Sequence, residues 1–287
     1  MKLLAFIISL IIAPLSFAGE SIDINFKTLG SGYTPGAVTP LEVPAKMILP
    51  EGNNLPAVLI VHGSAGPDSR GKFHSKYLSE NGYVTMEINM WEPRGVTSIA
   101  NRPKHPADTL ADIWGAWDYL RNHPKVNKEK IAIMGFSWGG LLSLSAAFGL
   151  KPNKPPSMLR SAAFAAHVSF YPVCDMWINN GPGVSLVAAN IRSAGPIQIH
   201  VGTKDDYESN FDSCQKFKER YFNLNIDLHA YEGATHGFDT LNTEKRIIYD
   251  PVANRYKGAD VAIMADEKSR ELAKSRVINF LDKFLKQ

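Results

Sequence analysis

The chain reads as an α/β protein in which a mostly parallel, doubly wound sheet is flanked by helices. Short, continuously apolar runs at 57–61 (AVLIV) and 131–134 (IAIM) have the length of strands but lack the alternation of a half-exposed sheet, so both faces must be covered. Between such runs lie segments whose large apolar residues recur every three or four positions, the spacing of the helices that do the covering. A third observation is a glycine-flanked corner at 135–139, which joins one buried strand to the helix after it. In sheets of this kind ligands bind beyond the carboxyl ends of the strands.

In chain order, 22–28 and 38–49 are expected as early strands, with LPEGNN as the turn that delivers the central strand 57–61. Phe73, Tyr77 and Leu78 mark a helix stopped by Asn81 and Gly82, and 83–88 returns as a strand. A loop rich in proline and arginine, 90–108, then leads to a helix carrying Leu110, Ile113, Trp114, Trp117 and Leu120. Loops of that length inside a compact domain usually carry function. After the corner come strands at 167–173 and 197–201, separated by an irregular segment ending near Gly195. Phe211, Phe217, Tyr221 and Phe222 suit a helix, 226–231 a final strand, and 265–286 a closing helix with Leu272, Val277, Phe280, Leu281 and Phe284 on its packed face.

The corner itself reads Gly135, Phe136, Ser137, Trp138, Gly139, the G-x-S-x-G pattern. The pattern alone is weak. Here a buried strand precedes it and helical spacing follows, through Leu141, Leu142 and Leu144, which is the context that lets a serine hydroxyl stand clear of a sharp turn. Ser137 is therefore the candidate nucleophile.

A serine hydroxyl attacks poorly near neutral pH unless a base takes its proton and a carboxylate orients that base. Both are expected downstream, Asp205 after the strand 197–201 and His236 after the strand 226–231. Asp206 adjoins Asp205 and is the alternative acid. The order nucleophile, acid, histidine is that of α/β-hydrolases, with each member on a loop at one edge of the sheet. Two backbone N–H groups are needed for the oxyanion. Trp138 offers one at the start of its helix, and Ser64 in the loop VHGSAG is the second candidate, with His62 bracing that loop. The remaining histidines, His74, His105, His123, His167, His200 and His229, lack ligand spacing and read as structural.

Residues 1–18 have the form of an export signal, with Lys2, an apolar run and small residues Ser16 and Ala18 before the expected cut; residues 19–287 then form a single domain. No other stretch approaches the roughly 20 apolar residues of a membrane span, so no stable insertion is expected after cleavage. The net charge of +3 is interspersed, which argues against a nucleic-acid partner. Nothing selects monomer or dimer. Only two cysteines occur, Cys174 and Cys214, without zinc-ligand spacing. An even pair in an exported chain favours a disulfide, with two buried thiols as the alternative. No metal and no cofactor are expected.

With those residues placed, the chain resembles the dienelactone hydrolase family, from the strand before VHGSAG through GFSWGG and FYPVC to GTKDD, ATHGF and YDP. Exported members look similar in MWEPRGV and in the pair Cys174 and Cys214. The resemblance implies an α/β-hydrolase fold, Ser137, Asp205 and His236 as the triad, and a small ester or lactone as substrate. The namesake enzymes carry cysteine at the position of Ser137, a departure that tilts the expectation toward general carboxylic esters. Trp91, Phe136, Trp138, Tyr171, Trp177, Tyr207 and Phe238 lie on or beside the loops of the same sheet edge and suggest a partly apolar pocket, with Trp91 and Phe238 as candidate substrate contacts. Arg94 is the candidate partner for a substrate carboxylate, a structural ion pair being the other reading. Two rival readings remain. A peptidase or acyltransferase uses the same triad, but the chain has no propeller or lid domain to filter peptides. An inactive binding module on this scaffold usually lacks a triad member, and none is lacking.

Overall fold

The computed structural model describes residues 19–29, 40–152, 157–159, 161–178, 195–208, 212–241, 244–251, 253 and 257–287. The proposed export signal lies outside the described residues, as do 38–39 of an expected strand and Phe211.

Eight strands form the main sheet: β1 (Glu20–Lys27), β2 (Glu42–Leu49), β3 (Leu55–Val61), β4 (Val84–Ile88), β5 (Val126–Phe136), β6 (Ala166–Phe170), β7 (Ile197–Gly202) and β8 (Ile226–Tyr231). Their spatial order is β1-β2-β4-β3-β5-β6-β7-β8. β1 and β2 pair antiparallel, β2 joins β4 antiparallel, and every later pairing is parallel. The burial follows from position. β2 alternates between core and solvent, whereas β6 and β7 are buried at every residue because helices cover both faces.

Among the described residues six α-helices flank the sheet: α1 (Ser69–Glu80), α2 (Leu110–Arg121), α3 (Trp138–Ala147), α4 (Asp175–Ile178), α5 (Ser213–Arg220) and α6 (Glu267–Leu285). One core, built on Trp114, Ile133, Leu142 and Phe217, fills the side of α2 and α3. The second, built on Tyr83, Met134, Phe170 and Phe280, fills the side of α1 and α6. Asp68 caps α1 by accepting from the Arg70 N–H at 2.9 Å, and Asp266 caps α6 through the Ser269 N–H at 2.8 Å.

Several expectations are corrected. The strand expected at 167–173 ends at Phe170, because Tyr171 and Val173 take positive φ angles of 38° and 50° that cannot continue an extended chain. Phe222 lies beyond the end of α5 and is exposed. On α6 the buried face carries Ala273 and Leu285 with Val277, Phe280 and Leu281, whereas Leu272 points to solvent. β8 is not the last strand: β9 (Arg246–Asp250) and β10 (Ala259–Ile263) form a separate antiparallel hairpin. A bridge between His236 and Ile263 fastens that hairpin to the rim of the sheet. Cys174 and Cys214 are disulfide-bonded across a separation of 40 residues, as the even pair suggested, which ties α4 to α5. In the chain-entropy account such a loop contributes about 3 to 4 kcal/mol.

Candidate active site

β5 delivers Ser137 to the carboxyl edge of the sheet at a turn sharp enough to strain it. Ser137 holds φ 52° and ψ −105°, and its N–H is fixed by the Phe170 carbonyl at 2.9 Å. The flanking glycines are required by contact. A Cβ on Gly135 would lie 2.0 Å from the Gly139 oxygen, and one on Gly139 would lie 2.1 Å from the Val61 oxygen, so any side chain would push α3 off the sheet.

The loop after β7 carries Asp205 and the loop after β8 carries His236, both buried. Asp205 Oδ2 lies 2.8 Å from His236 Nδ1, while its Oδ1 accepts from the Tyr207 N–H at 3.0 Å. The bond to Asp205 places the proton on Nδ1 and leaves Nε2 as the basic nitrogen. Among the described residues Nε2 has no hydrogen-bond partner although it is buried. Asp206 faces away, accepting from the Ala262 N–H of β10 at 3.0 Å. Two tyrosine rings pack against the imidazole at a tilt, Tyr171 at 4.5 Å and Tyr207 at 4.2 Å between centroids.

Ser137 opens into a cleft of about 390 Å³, mouth included. Ser64, Trp138 and Tyr207 share its wall with apolar Leu141, Val173 and Met176, and Arg102, Lys104 and Pro106 form the rim. Trp138 starts α3, so its N–H belongs to the first turn, whose donors have no partner inside the helix. The opposite loop is braced twice. His62 Nε2 accepts from the Met90 N–H at 3.0 Å while Nδ1 donates to the Gly63 carbonyl at 2.7 Å, and the Trp91 indole donates to the Ser64 carbonyl at 2.9 Å. Burial lowers the His62 pKa to about 4, the state a neutral brace needs.

Three candidate contacts are corrected. Arg94 directs its guanidinium at both oxygens of buried Asp112, at 2.8 and 3.0 Å, and at the Met90 carbonyl, so it holds its own loop instead of lining the cleft. Trp91 is buried behind the Ser64 loop, edge-on to His62 and Trp138. Phe238 is fully buried against Tyr171 and Tyr231, beneath the His236 loop. Phe136 and Trp177 are core residues as well. The rim residues Arg102 and Lys104 and the wall residue Met176 were missed, because a rim is made by folded loops and leaves no periodic trace. The hairpin had a trace, the β-branched and aromatic run Ile247, Ile248 and Tyr249 of β9.

One cluster has metal-ligand chemistry, Cys174, Cys214 and Glu208 within 4.8 Å, but both sulfurs are committed to the disulfide. Burial pushes the Glu208 carboxyl up to about 8, against the N–H donors of Cys174 and Asp175 that it accepts. Among the described residues no helix is long and apolar enough to cross a membrane.

The chain matches the model of the dienelactone hydrolase family over residues 43–285. It is 27% identical over 213 residues to a Bradyrhizobium protein named "Probable 2-oxo-3-(5-oxofuran-2-ylidene)propanoate lactonase", covering 69% of this chain and 78% of that one. It is also 29% identical to a Bacillus subtilis carboxylesterase over 110 residues, 37% of this chain and 43% of that enzyme. Among solved structures, a dienelactone hydrolase-like promiscuous phosphotriesterase from metagenomic libraries superposes with a TM-score of 0.64 at 16% identity, covering 93% and 99% of the two chains. Thermogutta terrifontis esterase 2 superposes at 0.59 and 18%, covering 93% and 96%. The same esterase phosphorylated by paraoxon superposes at 0.56 and 19%, covering 88% and 94%.

Proposed function

The chain belongs to the dienelactone hydrolase family and is a carboxylic ester hydrolase; from that premise we propose that it cleaves small esters or lactones through an acyl-enzyme formed on Ser137. The observation that carries the reading is the buried His236 imidazole, oriented by Asp205 and with Nε2 unpartnered among the described residues, on the loop after β8 at the same sheet edge to which β5 delivers Ser137.

As Ser137 Oγ attacks the ester carbonyl, its proton passes to His236 Nε2, and Asp205 stabilises the imidazolium without itself taking the proton. The Trp138 and Ser64 N–H groups hold the developing oxyanion, an interaction stronger in the transition state than in the ground state. Collapse expels the alcohol, which takes the proton from Nε2. Water, deprotonated by the same nitrogen, then attacks the acyl-enzyme; collapse breaks the bond to Ser137 Oγ, which takes the proton back from Nε2 as the acid leaves. The apolar wall of Leu141, Val173 and Met176 suits a short or compact acyl group. A first-turn helix N–H at Trp138 adds the favourable end of a dipole to the oxyanion site.

Residues 19–287 are proposed as one catalytic domain exported behind the signal 1–18. The disulfide supports an oxidising compartment, and N-terminal sequencing of the secreted protein beginning at Gly19 tests it. For the chemistry, p-nitrophenyl acetate and butyrate are turned over by wild type, and Ser137→Ala loses several orders of magnitude. Paraoxon leaves a phosphoryl adduct on the Ser137 peptide by mass spectrometry. Equal turnover by wild type and Ser137→Ala, or an adduct elsewhere, defeats the acyl-enzyme.

A further inference from the structure

Each tyrosine beside His236 is itself held by a buried carboxylate with an arginine in the network. On one side the Tyr171 hydroxyl donates to Asp239 Oδ1 at 2.5 Å and accepts from Arg70 Nη1 at 3.1 Å. On the other the Tyr207 hydroxyl donates to Asp250 Oδ2 at 2.7 Å, and Arg102 grips both oxygens of Asp250 at 2.9 to 3.2 Å. The anchors come from α1, the His236 loop, the long loop 90–108 and the β9 strand, so four separate segments converge on one imidazole. Tyr171 keeps its place at a positive φ of 38°, backbone strain that the surrounding network must hold.

We propose that Tyr171 and Tyr207 are positioning residues that stabilise the His236 imidazolium through their ring faces, an inference that rests on His236 being the base of the ester hydrolysis. Both centroids lie within the range at which an aromatic face attracts a cation. A phenol donating to a carboxylate carries extra negative density on its ring. Arg102 pairs with Asp250, and His74 Nε2 lies 2.8 Å from Asp239 Oδ2, so neither carboxylate is buried bare. Neutral imidazole gains little from the rings, whereas the imidazolium formed as Ser137 attacks gains from both. The stabilisation therefore falls on the transition state.

The charged and titratable groups around this imidazole are Asp205 at Nδ1, then Asp239 with His74 and Arg70 with Asp68 behind Tyr171, and Asp250 and Arg102 behind Tyr207. Glu208 is one residue beyond Tyr207 and accepts from the N–H groups of Cys174 and Asp175.

The test is the titration of His236 itself, followed by the nuclear resonance of its Cε1 in wild type, Tyr207→Phe, Tyr207→Leu and Tyr171→Leu. Leucine keeps an apolar wall but has no π face. The expected result is a His236 pKa lower by about 0.4 to 1.5 units in Tyr207→Leu, with kcat roughly 3- to 30-fold lower on p-nitrophenyl acetate. Tyr207→Phe, which keeps the ring, moves the titration less than half as far. If fully buried Tyr171→Leu fails to fold, Tyr207→Leu still decides. A His236 titration unchanged in Tyr207→Leu, or a Phe variant shifted as far as the Leu variant, overturns the proposal. The resonance needs no activity. Retained turnover in His236→Gln therefore sinks the assigned base, and the effect of the rings on the imidazolium is still read separately.

Discussion

Two buried histidine–aspartate pairs stand in this molecule with the same bond length. His236 meets Asp205 at 2.8 Å, and His74 meets Asp239 at 2.8 Å. Their difference lies at the other nitrogen. His74 Nδ1 is engaged by the Tyr77 hydroxyl at 2.7 Å, inside the core between α1 and the His236 loop, whereas His236 Nε2 is unpartnered among the described residues, at the sheet edge that carries Ser137. A carboxylate beside an imidazole thus supplies a tautomer and an orientation in both places. In the proposed reaction the nitrogen left without a partner is the one that takes the proton, whereas the fully satisfied pair is a structural pin.

The strongest way to break this comparison is to remove each imidazole in turn. His236→Gln lowers kcat/KM by about 10⁴-fold or more in a folded protein, as loss of a triad member does. His74→Leu instead removes the imidazole from buried Asp239, leaving Oδ2 without it, and costs roughly 3 to 5 kcal/mol of folding free energy. The two are read by ester kinetics and by denaturant unfolding. A His74 variant that is stable yet equally dead would merge the two roles.

The carboxylates sharpen it next. Asp205→Asn loses about 10²- to 10⁴-fold in kcat, because the amide no longer holds Nδ1–H toward it. Asp206→Asn, whose partner is a backbone N–H of the hairpin, changes kcat by less than about threefold.

Acid tests the structural histidines as a set. Burial lowers His62 to about 4 and His167 to about 3, and pushes His200 well below its usual value. Since the unfolded chain binds these protons first, near pH 6.5, their contribution to stability is present above that pH and is lost as pH falls toward 4 and below. For His62 alone the loss approaches about 3 kcal/mol. Unfolding midpoints measured from pH 7 to pH 4 fall accordingly, and a His62→Gln variant shows a flatter curve.

The smallest effect on turnover is expected at Arg94. Arg94→Met strands Asp112, whose carboxyl burial already raises to about 6, so the fold loses roughly 3 kcal/mol while KM for an anionic ester stays within about twofold. A tenfold rise in KM for the anionic ester alone would return Arg94 to the cleft.

The legibility of the fold varied with the range of the forces that set it. The runs 57–61 and 131–134 were readable because a strand covered on both faces must be apolar at every position, and they became β3 and the heart of β5. The corner at Ser137 was readable because only glycine fits where a Cβ would come within 2.0 to 2.1 Å of a backbone oxygen. Leu272 misled because helical periodicity fixes a face to within about one residue, and packing against β5, β6 and β7 chose Ala273. The Arg94 pairing was undecided in one dimension, since its partner Asp112 is 18 residues away on α2.

What the sequence determined by itself was local: which segments pair as buried strands, where the chain turns at glycine, and which serine, aspartate and histidine end up on loops at one sheet edge. What only the tertiary structure decided was selection among equals. It chose Asp205 over Asp206 as the partner of His236, left His236 and not His74 with a free nitrogen, and set Arg102 in place of Arg94 at the rim. Backbone propensity and hydrophobic period act between neighbours, whereas a hydrogen-bond partner is assigned by the meeting of loops far apart in the chain, and that meeting exists only once the sheet has brought them together.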